Sequence, residues 1–235
     1  MTTTDAPSYA PQAQLLRKGT KAFDILAAAP LILWYAFNFG TLLHPLQQEV
    51  SQLLVRPDAQ LFLAVLSKGA VLLVAFTAIC MLIARRPPQS GAHGVMPRVA
   101  GVLGTYLGVS LILLPPAQLS PVWMAVSAAM VLGGMGFACY SLLWLGRSFS
   151  LMAEARQLVT GGPYSIVRHP LYLGEEMAIV GAAIQFISPA AIALVLLQIG
   201  CQLYRMQCEE EVLEQAFPEY GHYKAQKARI LPGIY

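Results

Sequence analysis

Charged side chains are scarce in this sequence of 235 residues: they make up 11% of the chain, whereas 57% of the residues are hydrophobic. A soluble domain of average composition has about 25% charged residues and about 45–50% apolar ones. So little charge cannot cover a water-soluble globule, and so much apolar sequence argues against a disordered chain. The net charge of +3 is too small to indicate a nucleic-acid-binding protein. The composition therefore predicts a membrane protein that binds no nucleic acid.

Cysteine is also rare, and its distribution suggests no special chemistry. The cysteines form no C-x-x-C pair, and each lies in or beside an apolar run. They indicate neither a disulfide framework nor a metal site, so we expect small buried apolar side chains and no bound metal. The four residues are Cys80, Cys139, Cys201 and Cys208.

Long apolar runs dominate the remaining sequence. A membrane crossing needs about 20 apolar residues. Four apolar runs precede a further pair, joined by Ser188–Pro189, in which each run is near the lower limit of length for a crossing. The first run is long enough to be a retained span rather than a cleaved signal peptide, and it should end at His44–Pro45. The pattern predicts an all-α fold, a polytopic membrane helix bundle with five to six transmembrane segments and a C-terminal helical hairpin. The runs are 23–43, 61–84, 99–114, 121–145, 170–187 and 190–204.

The runs divide the chain into three regions. Residues 1–22 form a polar N-terminus, and residues 23–145 form four transmembrane helices. Residues 146–235 form a third region, which contains a polar loop, the hairpin 170–204 and a polar tail. This third region holds most of the specific polar residues, so we expect catalysis there.

The cations predict the orientation. They are concentrated before the first run, between the second and third, between the fourth and the hairpin, and in the tail. Because cytoplasmic loops are enriched in Lys and Arg, this alternation places both termini in the cytoplasm. It suggests a bacterial inner membrane. Within the runs, Lys68 is either functional or extended towards the membrane surface, and Gly133, Gly134 and Gly136 favour close approach of a neighbouring helix.

Two segments, 154–176 and 202–232, carry the residues suited to chemistry. Pro170 is placed as the first residue of a helix, so Arg168 and His169 lie at a helix N-terminus, which favours bound anions. Arg205 and Glu209 are four residues apart and share a helix face.

Each segment also has a simpler interpretation. Arg168 and His169 are compatible with a membrane-surface anchor, and the acids after Arg205 with a solvated helix end. The hairpin, however, should bring its two ends together. We therefore expect Arg168, His169, Tyr172, Arg205 and Glu209 to line one pocket, which is the default hypothesis for convergent polar groups.

The same region resembles the isoprenylcysteine carboxyl methyltransferase family. The resemblance rests on the motif R-H-P-x-Y-x-G at residues 168–174, followed after the apolar hairpin by E-E-x-x-L at 209–213. Gly162-Pro163-Tyr164 precedes these motifs, and aromatic residues with Arg229-x-x-Pro232 follow them. The match covers about residues 145–235.

The resemblance implies an integral-membrane methyltransferase that uses S-adenosylmethionine. It makes Arg205 the residue that holds the methyl acceptor, and Glu209 a cofactor acid. Three acids stand where the family has two, so Glu210 is an alternative for that role. The cofactor contacts that the resemblance implies are Leu158, Val159, Tyr164, His169, Pro170, Leu171, Tyr172, Glu209 and Glu210. Arg168 is added to them because it strengthens the anion site at the helix N-terminus.

The expected acceptor is a lipophilic molecule that comes from the bilayer, with membrane lipids as the surrounding partners. Arg205 would bind an acceptor carboxylate through paired hydrogen bonds, which favours carboxyl methylation. Methylation of a phospholipid amine or a small thiol is an alternative. A membrane sterol reductase, a small transporter and a scaffold are the further alternatives.

Overall fold

The computed structural model describes residues 21–92, 94–150 and 152–233. Most of the predicted polar segment 1–22 lies outside these ranges. The described chain forms a polytopic helical bundle with little sheet, which confirms the predicted fold class. Its helices are α1 (Lys21–Val55), α2 (Ala59–Ala84), α3 (Met96–Val109), α4 (Pro121–Leu145), α5 (Pro170–Ile184), α6 (Pro189–Ala216) and α7 (Tyr220–Gln226); its strands are β1 (Ser90–Gly91) and β2 (Glu154–Ala155).

Five described helical segments are long and apolar enough to cross a membrane. They are α1, α2, α3 with its 3-10 extension Ser110–Leu113, α4 with its own extension, and α6. The 15 residues of α5 are too few to span the roughly 30 Å hydrocarbon core, since a helix rises about 1.5 Å per residue. The result agrees with the lower end of the predicted five to six segments.

Helix α1 does not end at His44–Pro45, and that prediction is wrong. The helix continues to Val55 with Pro30 and Pro45 in its interior. Proline removes one backbone hydrogen bond, and the helix accommodates that loss at both positions. Beyond Pro45, Glu49 forms an ion pair with Lys68 of α2, so the intramembrane cation has a partner.

The two helices of the C-terminal hairpin pack mainly against other helices rather than against each other. Ser188 caps α6 by accepting a 3.1 Å hydrogen bond from the Ala191 backbone N–H, so the turn forms as expected. However, α5 packs most extensively against α4, and α6 against α3. The facing surfaces of α5 and α6 carry amides and carboxylates, such as Gln198 and Glu176, which are joined by a 2.8 Å hydrogen bond. Hydrogen bonds between polar side chains therefore connect these two helices.

Glycines explain why α5 packs so closely against α4. A Cβ added to Gly134 would lie 2.6 Å from the Gly174 carbonyl oxygen, and one added to Gly174 would lie 2.7 Å from the Gly134 carbonyl oxygen. Small residues allow helix backbones to approach this closely in membranes. The predicted close approach at the glycine patch therefore occurs at Gly134, whereas Gly136 faces open space.

One end of the bundle, here called the polar end, collects the loops that carry the motifs. Helices α2 and α4 end there, and α3 and α5 begin there. The Arg86 backbone N–H donates to the Arg147 carbonyl at 2.8 Å, and β1 pairs with β2 in antiparallel register. The loop 146–169 is thereby fixed across the ends of the transmembrane helices.

Candidate active site

Glu210 joins three separate segments at the polar end. Its carboxylate accepts hydrogen bonds from Arg168 Nε at 2.9 Å, from Arg229 Nε at 3.0 Å and from Arg229 Nη2 at 2.9 Å. His169 Nε2 lies 3.1 Å from the same carboxylate. The Glu210 side chain is only 2% exposed. Buried and paired in this way, Glu210 fixes the start of α5 and the C-terminal tail onto α6.

The tail also binds the backbone that precedes α5. The backbone N–H groups of Arg168 and His169 donate to the carbonyl oxygens of Ala228 and Arg229 at 2.9 and 3.0 Å. These two amides are therefore engaged within the protein. The first-turn amides of α5, at Leu171 and Tyr172, have no acceptor inside the helix because a helix leaves its first N–H groups free.

Glu209, the neighbouring acid, has a different environment. Its side chain is 19% exposed, and it accepts hydrogen bonds from the Tyr172 hydroxyl and from Arg205 Nε, the latter at 3.2 Å. The Arg205 guanidinium lies 4.9 Å from the centre of the Tyr172 ring, and the Tyr172 ring stacks on His169. The predicted i, i+4 relation between Arg205 and Glu209 is thus realised as an ion pair.

A cleft opens beside this group, between the loop 146–169 and the ends of α5, α6 and α7. Of the ten cofactor contacts predicted from the sequence, Pro170 and Glu210 are absent from the walls of the cleft. Arg205, the predicted acceptor-binding residue, is also absent from these walls, because it is buried against the Tyr172 ring. The predicted residues that do line the cleft are Leu158, Val159, Tyr164, Arg168, His169, Leu171, Tyr172 and Glu209.

Several cleft residues were missed from the sequence. Phe149, Arg156 and Gln157 come from the loop, and Tyr220 and Tyr223 come from the start of α7. Both tyrosines belong to the aromatic pattern that follows the E-E motif, and this pattern could have identified them from the sequence. The loop residues have no comparable signal, since hydropathy shows only that the segment is polar.

Tyr164 and Tyr223, which both line the cleft, are neutral, and a hydrogen bond between them connects the loop to α7. Burial raises the pKa of the Tyr223 phenol to about 12 and that of Tyr164 far above its usual range. The Tyr223 hydroxyl therefore keeps its proton at neutral pH. It donates a 2.6 Å hydrogen bond to the Tyr164 carbonyl oxygen. The bond fixes the 3-10 turn Gly162–Ser165 at the cleft wall.

A buried ion network holds the other part of the loop. Asp24 of α1 accepts from Arg85 Nε at the end of α2 and from Arg156 Nη2 in the loop, each at 2.9 Å. Arg156 Nη2 also donates to Glu154 at 2.6 Å. The loop that carries Leu158 is therefore anchored to the first two transmembrane helices.

Gly162 is expected to tolerate no side chain. It adopts a φ of +56°, and an added Cβ would lie 2.3 Å from the Trp144 indole ring. We expect Gly162→Ala to lower the free energy of unfolding by about 1–3 kcal/mol, the usual cost of overpacking, and to weaken binding in the cleft. Thermal unfolding in detergent should show a decrease of several degrees, at about 2–4 °C per kcal/mol.

Gly221→Ala is the matched control for this change. Gly221 lies in α7 close to the same cleft, and an added Cβ there meets nothing within 4 Å. Its unfolding temperature should stay near that of the wild type. If Gly162→Ala unfolded at the same temperature as Gly221→Ala, the proposed role of the Gly162 turn would be wrong.

Comparisons with known proteins match the part of the sequence that carries this cleft. Residues 122–220, which run from α4 to the start of α7, match the family model described as phospholipid methyltransferase.

The cobalt-zinc-cadmium resistance protein CzcN of Cupriavidus metallidurans is 30% identical over 117 residues, which are 48% of this chain and 54% of that protein. The nickel-cobalt-cadmium resistance protein NccN of Alcaligenes xylosoxydans xylosoxydans is 30% identical over 113 residues, 46% of this chain and 53% of that protein. The chain thus spans about half the length of these curated relatives. From α4 to the start of α7, the chain is therefore similar to the phospholipid methyltransferase family, the membrane methyltransferases that resemble isoprenylcysteine carboxyl methyltransferase.

Proposed function

We propose that this protein binds S-adenosylmethionine in the cleft at the polar end and methylates a lipophilic acceptor that comes from the bilayer. The observation that carries the proposal is the position of Glu209. It is a partly exposed acid on the wall of a cleft, beside the first turn of α5 and within a matched methyltransferase domain.

The groups on the cleft walls fit the cofactor chemically. Its methionine part carries a carboxylate, for which the cleft offers the first-turn amides of α5 and Arg156. Arg156 Nε is buried and has no hydrogen-bond partner among the described residues. Glu209 would accept from the amino group or from ribose hydroxyls. Phe149 and Leu158 provide apolar surface for the base.

When bound, S-adenosylmethionine supplies a methyl group that is already activated by its sulfonium. The protein therefore has to orient the two reactants and exclude water from them. Tyr172 is placed for this task because its ring contacts both His169 and the Arg205 guanidinium, and its hydroxyl donates a hydrogen bond to Glu209. Glu210 contributes indirectly, by holding Arg168 and His169 in place.

The acceptor chemistry has two candidates. A carboxylate acceptor would bind Arg205, but Arg205 Nε already donates to Glu209, and its Nη2 lies 3.3 Å from the Ser150 carbonyl oxygen. An amine acceptor is favoured by a different observation, the carboxylate of Glu175 on the wall of an intramembrane cavity.

The membrane setting is part of the proposal. We propose that the polar end faces the cytoplasm of a bacterial cell, because the cation-rich segments Arg85–Arg86 and Arg147 gather there. A polar cofactor would then reach the cleft from water, and an apolar acceptor would reach it from the lipid. Surrounding membrane lipids are the expected environment of α1 to α6.

Calorimetric binding of S-adenosylhomocysteine to the detergent-purified protein tests the proposal. We expect the wild type to bind and Glu209→Ala to bind at least tenfold more weakly, since a charge-assisted hydrogen bond contributes about 1.5–3 kcal/mol. Glu211→Ala is the control, because Glu211 is exposed on the same helix and should bind like the wild type.

Two outcomes would contradict the proposal. A folded wild-type protein that binds neither S-adenosylmethionine nor S-adenosylhomocysteine would favour a transporter or scaffold. Unchanged affinity in Glu209→Ala would remove this acid from the cofactor site.

A further inference from the structure

Three exposed cations gather at one place on the polar end, here called the cationic corner. They are Lys21 at the start of α1, Arg86 after the end of α2 and Arg147 after the end of α4. The Lys21 ammonium donates to the Arg85 carbonyl oxygen, and Arg147 Nε donates to the Ala84 carbonyl oxygen at 2.8 Å. The Arg86 backbone N–H donates to the Arg147 carbonyl oxygen at 2.8 Å. All three cations therefore lie around the last residues of α2.

Positive charge exceeds negative charge here. Among the described residues, each cation of the corner donates to a neutral oxygen and none forms an ion pair with an acid. The acid that interacts with Lys21 is Asp24, which is buried and already shared by Arg85 and Arg156. Glu154 also pairs with Arg156. Five cations and two acids leave a surplus of three positive charges. The C-terminal ends of α2 and α4 offset only about one of these, since a helix end carries roughly half an elementary charge.

The corner also has unused hydrogen-bond donors. Arg147 donates through Nε, and the two terminal nitrogens of its guanidinium have no partner among the described residues. An ammonium carries three N–H donors, of which Lys21 uses one. Charge-assisted hydrogen bonds from such groups to phosphate oxygens are short and strong. The corner therefore suits a phosphate group.

The level of the corner in the membrane indicates where that phosphate comes from. The corner lies at the ends of three long apolar helices, α1, α2 and α4. Trp144 and Tyr140 lie about one and two turns before Arg147 on α4, and each is 48% exposed. Exposed tryptophan and tyrosine are typical of the membrane–water interface, which is the level of the phospholipid headgroups. Basic pockets between transmembrane helices at this level suit anionic headgroups.

We propose that the cationic corner binds the phosphate of an anionic phospholipid from the adjacent leaflet, and that Lys21 and Arg147 provide the charge and the donors that select it. The lipid is a bound partner here and is not methylated, so the proposal does not depend on the proposed methyltransferase function. Arg86 also donates to Gln157 on the cleft wall. The bound headgroup would therefore lie beside the loop that forms the cleft.

Phosphatidylglycerol and phosphatidylcholine with the same acyl chains test the proposal, because both carry a phosphate but only the first has a net charge. The full-length protein is reconstituted in an equimolar mixture of the two and extracted in an uncharged maltoside detergent. The lipid that co-purifies is then quantified by mass spectrometry. The wild type should retain at least tenfold more phosphatidylglycerol than phosphatidylcholine. Lys21→Gln and Arg147→Gln should each lower this ratio by about fivefold, the factor expected for one cation near a membrane surface.

Arg98→Gln is the matched control for these variants. Arg98 is an exposed cation at the start of α3, at the same end of the bundle, so its loss changes the net charge equally but leaves the corner intact. The ratio should stay at the wild-type value. Equal retention of the two lipids by the wild type would overturn the proposal. So would a decrease in Arg98→Gln as large as in the corner variants, because the selectivity would then follow total charge. Lys21→Gln decides the question alone if Arg147→Gln does not fold.

Discussion

Gly134→Ala is expected to destabilise the bundle by about 3 kcal/mol, the upper part of the range for overpacking. The new Cβ would lie 2.5 Å from the Ala178 backbone nitrogen and 2.6 Å from the Gly174 carbonyl oxygen. Both atoms belong to the backbone of α5, so no side chain can rotate away, and the helices have to separate. Because α5 carries His169 and Tyr172, the separation should also weaken S-adenosylhomocysteine binding.

Gly136→Ala provides the comparison on the same helix. An added Cβ there meets nothing within 4 Å, and alanine is favoured over glycine in a helix by about 0.5–1 kcal/mol. This variant should therefore be neutral or slightly stabilised. Thermal unfolding of both variants in detergent measures the difference, and equal unfolding temperatures would show that α4 and α5 do not need the close contact at Gly134.

The sequence predicted the features that are encoded locally. The apolar runs identified the transmembrane helices because hydropathy over about 20 residues reflects the thickness of the membrane. The four-residue spacing of Arg205 and Glu209 predicted their shared helix face. Pro170 marked the start of α5 correctly.

Features that depend on distant partners could not be predicted in this way. The difference between Glu209 and Glu210 arises because Arg168 and Arg229 pair with the second acid, whereas Tyr172 and Arg205 contact the first. Nothing in the local order of three glutamates distinguishes them. The prediction that both acids contact the cofactor remains a prediction, and the geometry favours Glu209.

The contacts of Glu175 and Glu176 show the same limitation. Glu175 and Glu176 follow the R-H-P-x-Y-x-G motif and resemble ordinary acids in the first turns of a helix. Their proximity to Gln198 and Gln202 depends on how α5 and α6 separate, and this in turn depends on the glycines of α4. The helix-ending role assigned to Pro45 was wrong for a different reason, since a long helix can accommodate the one backbone hydrogen bond that a proline removes.

Asp24→Asn tests the buried ion network that joins α1 to Arg156 in the loop. We expect it to lower the free energy of unfolding more than Gly134→Ala does. Asp24 is 4% exposed and provides the carboxylate shared by Arg85 and Arg156, the second of which lies 132 positions away in the chain. Asparagine has the same shape but no charge, so two buried guanidinium groups would lose their common counter-ion. Breaking a buried ion pair by removing one partner costs about 3–5 kcal/mol.

The variant should also affect the cleft, because Arg156 holds the loop that carries Leu158 and Val159. We therefore expect Asp24→Asn to unfold at a clearly lower temperature and, where it remains folded, to bind S-adenosylhomocysteine more weakly, although Asp24 is absent from the cleft walls. Asp58→Asn is the matched control. Asp58 caps α2 by accepting from the Leu61 N–H at 2.8 Å, and asparagine caps helices about as well as aspartate, so this exposed change should leave both measurements near the wild-type values. If Asp24→Asn matched Asp58→Asn in stability and in binding, the network would not anchor the loop, and the cleft would have to be organised by Glu210 and the tail alone.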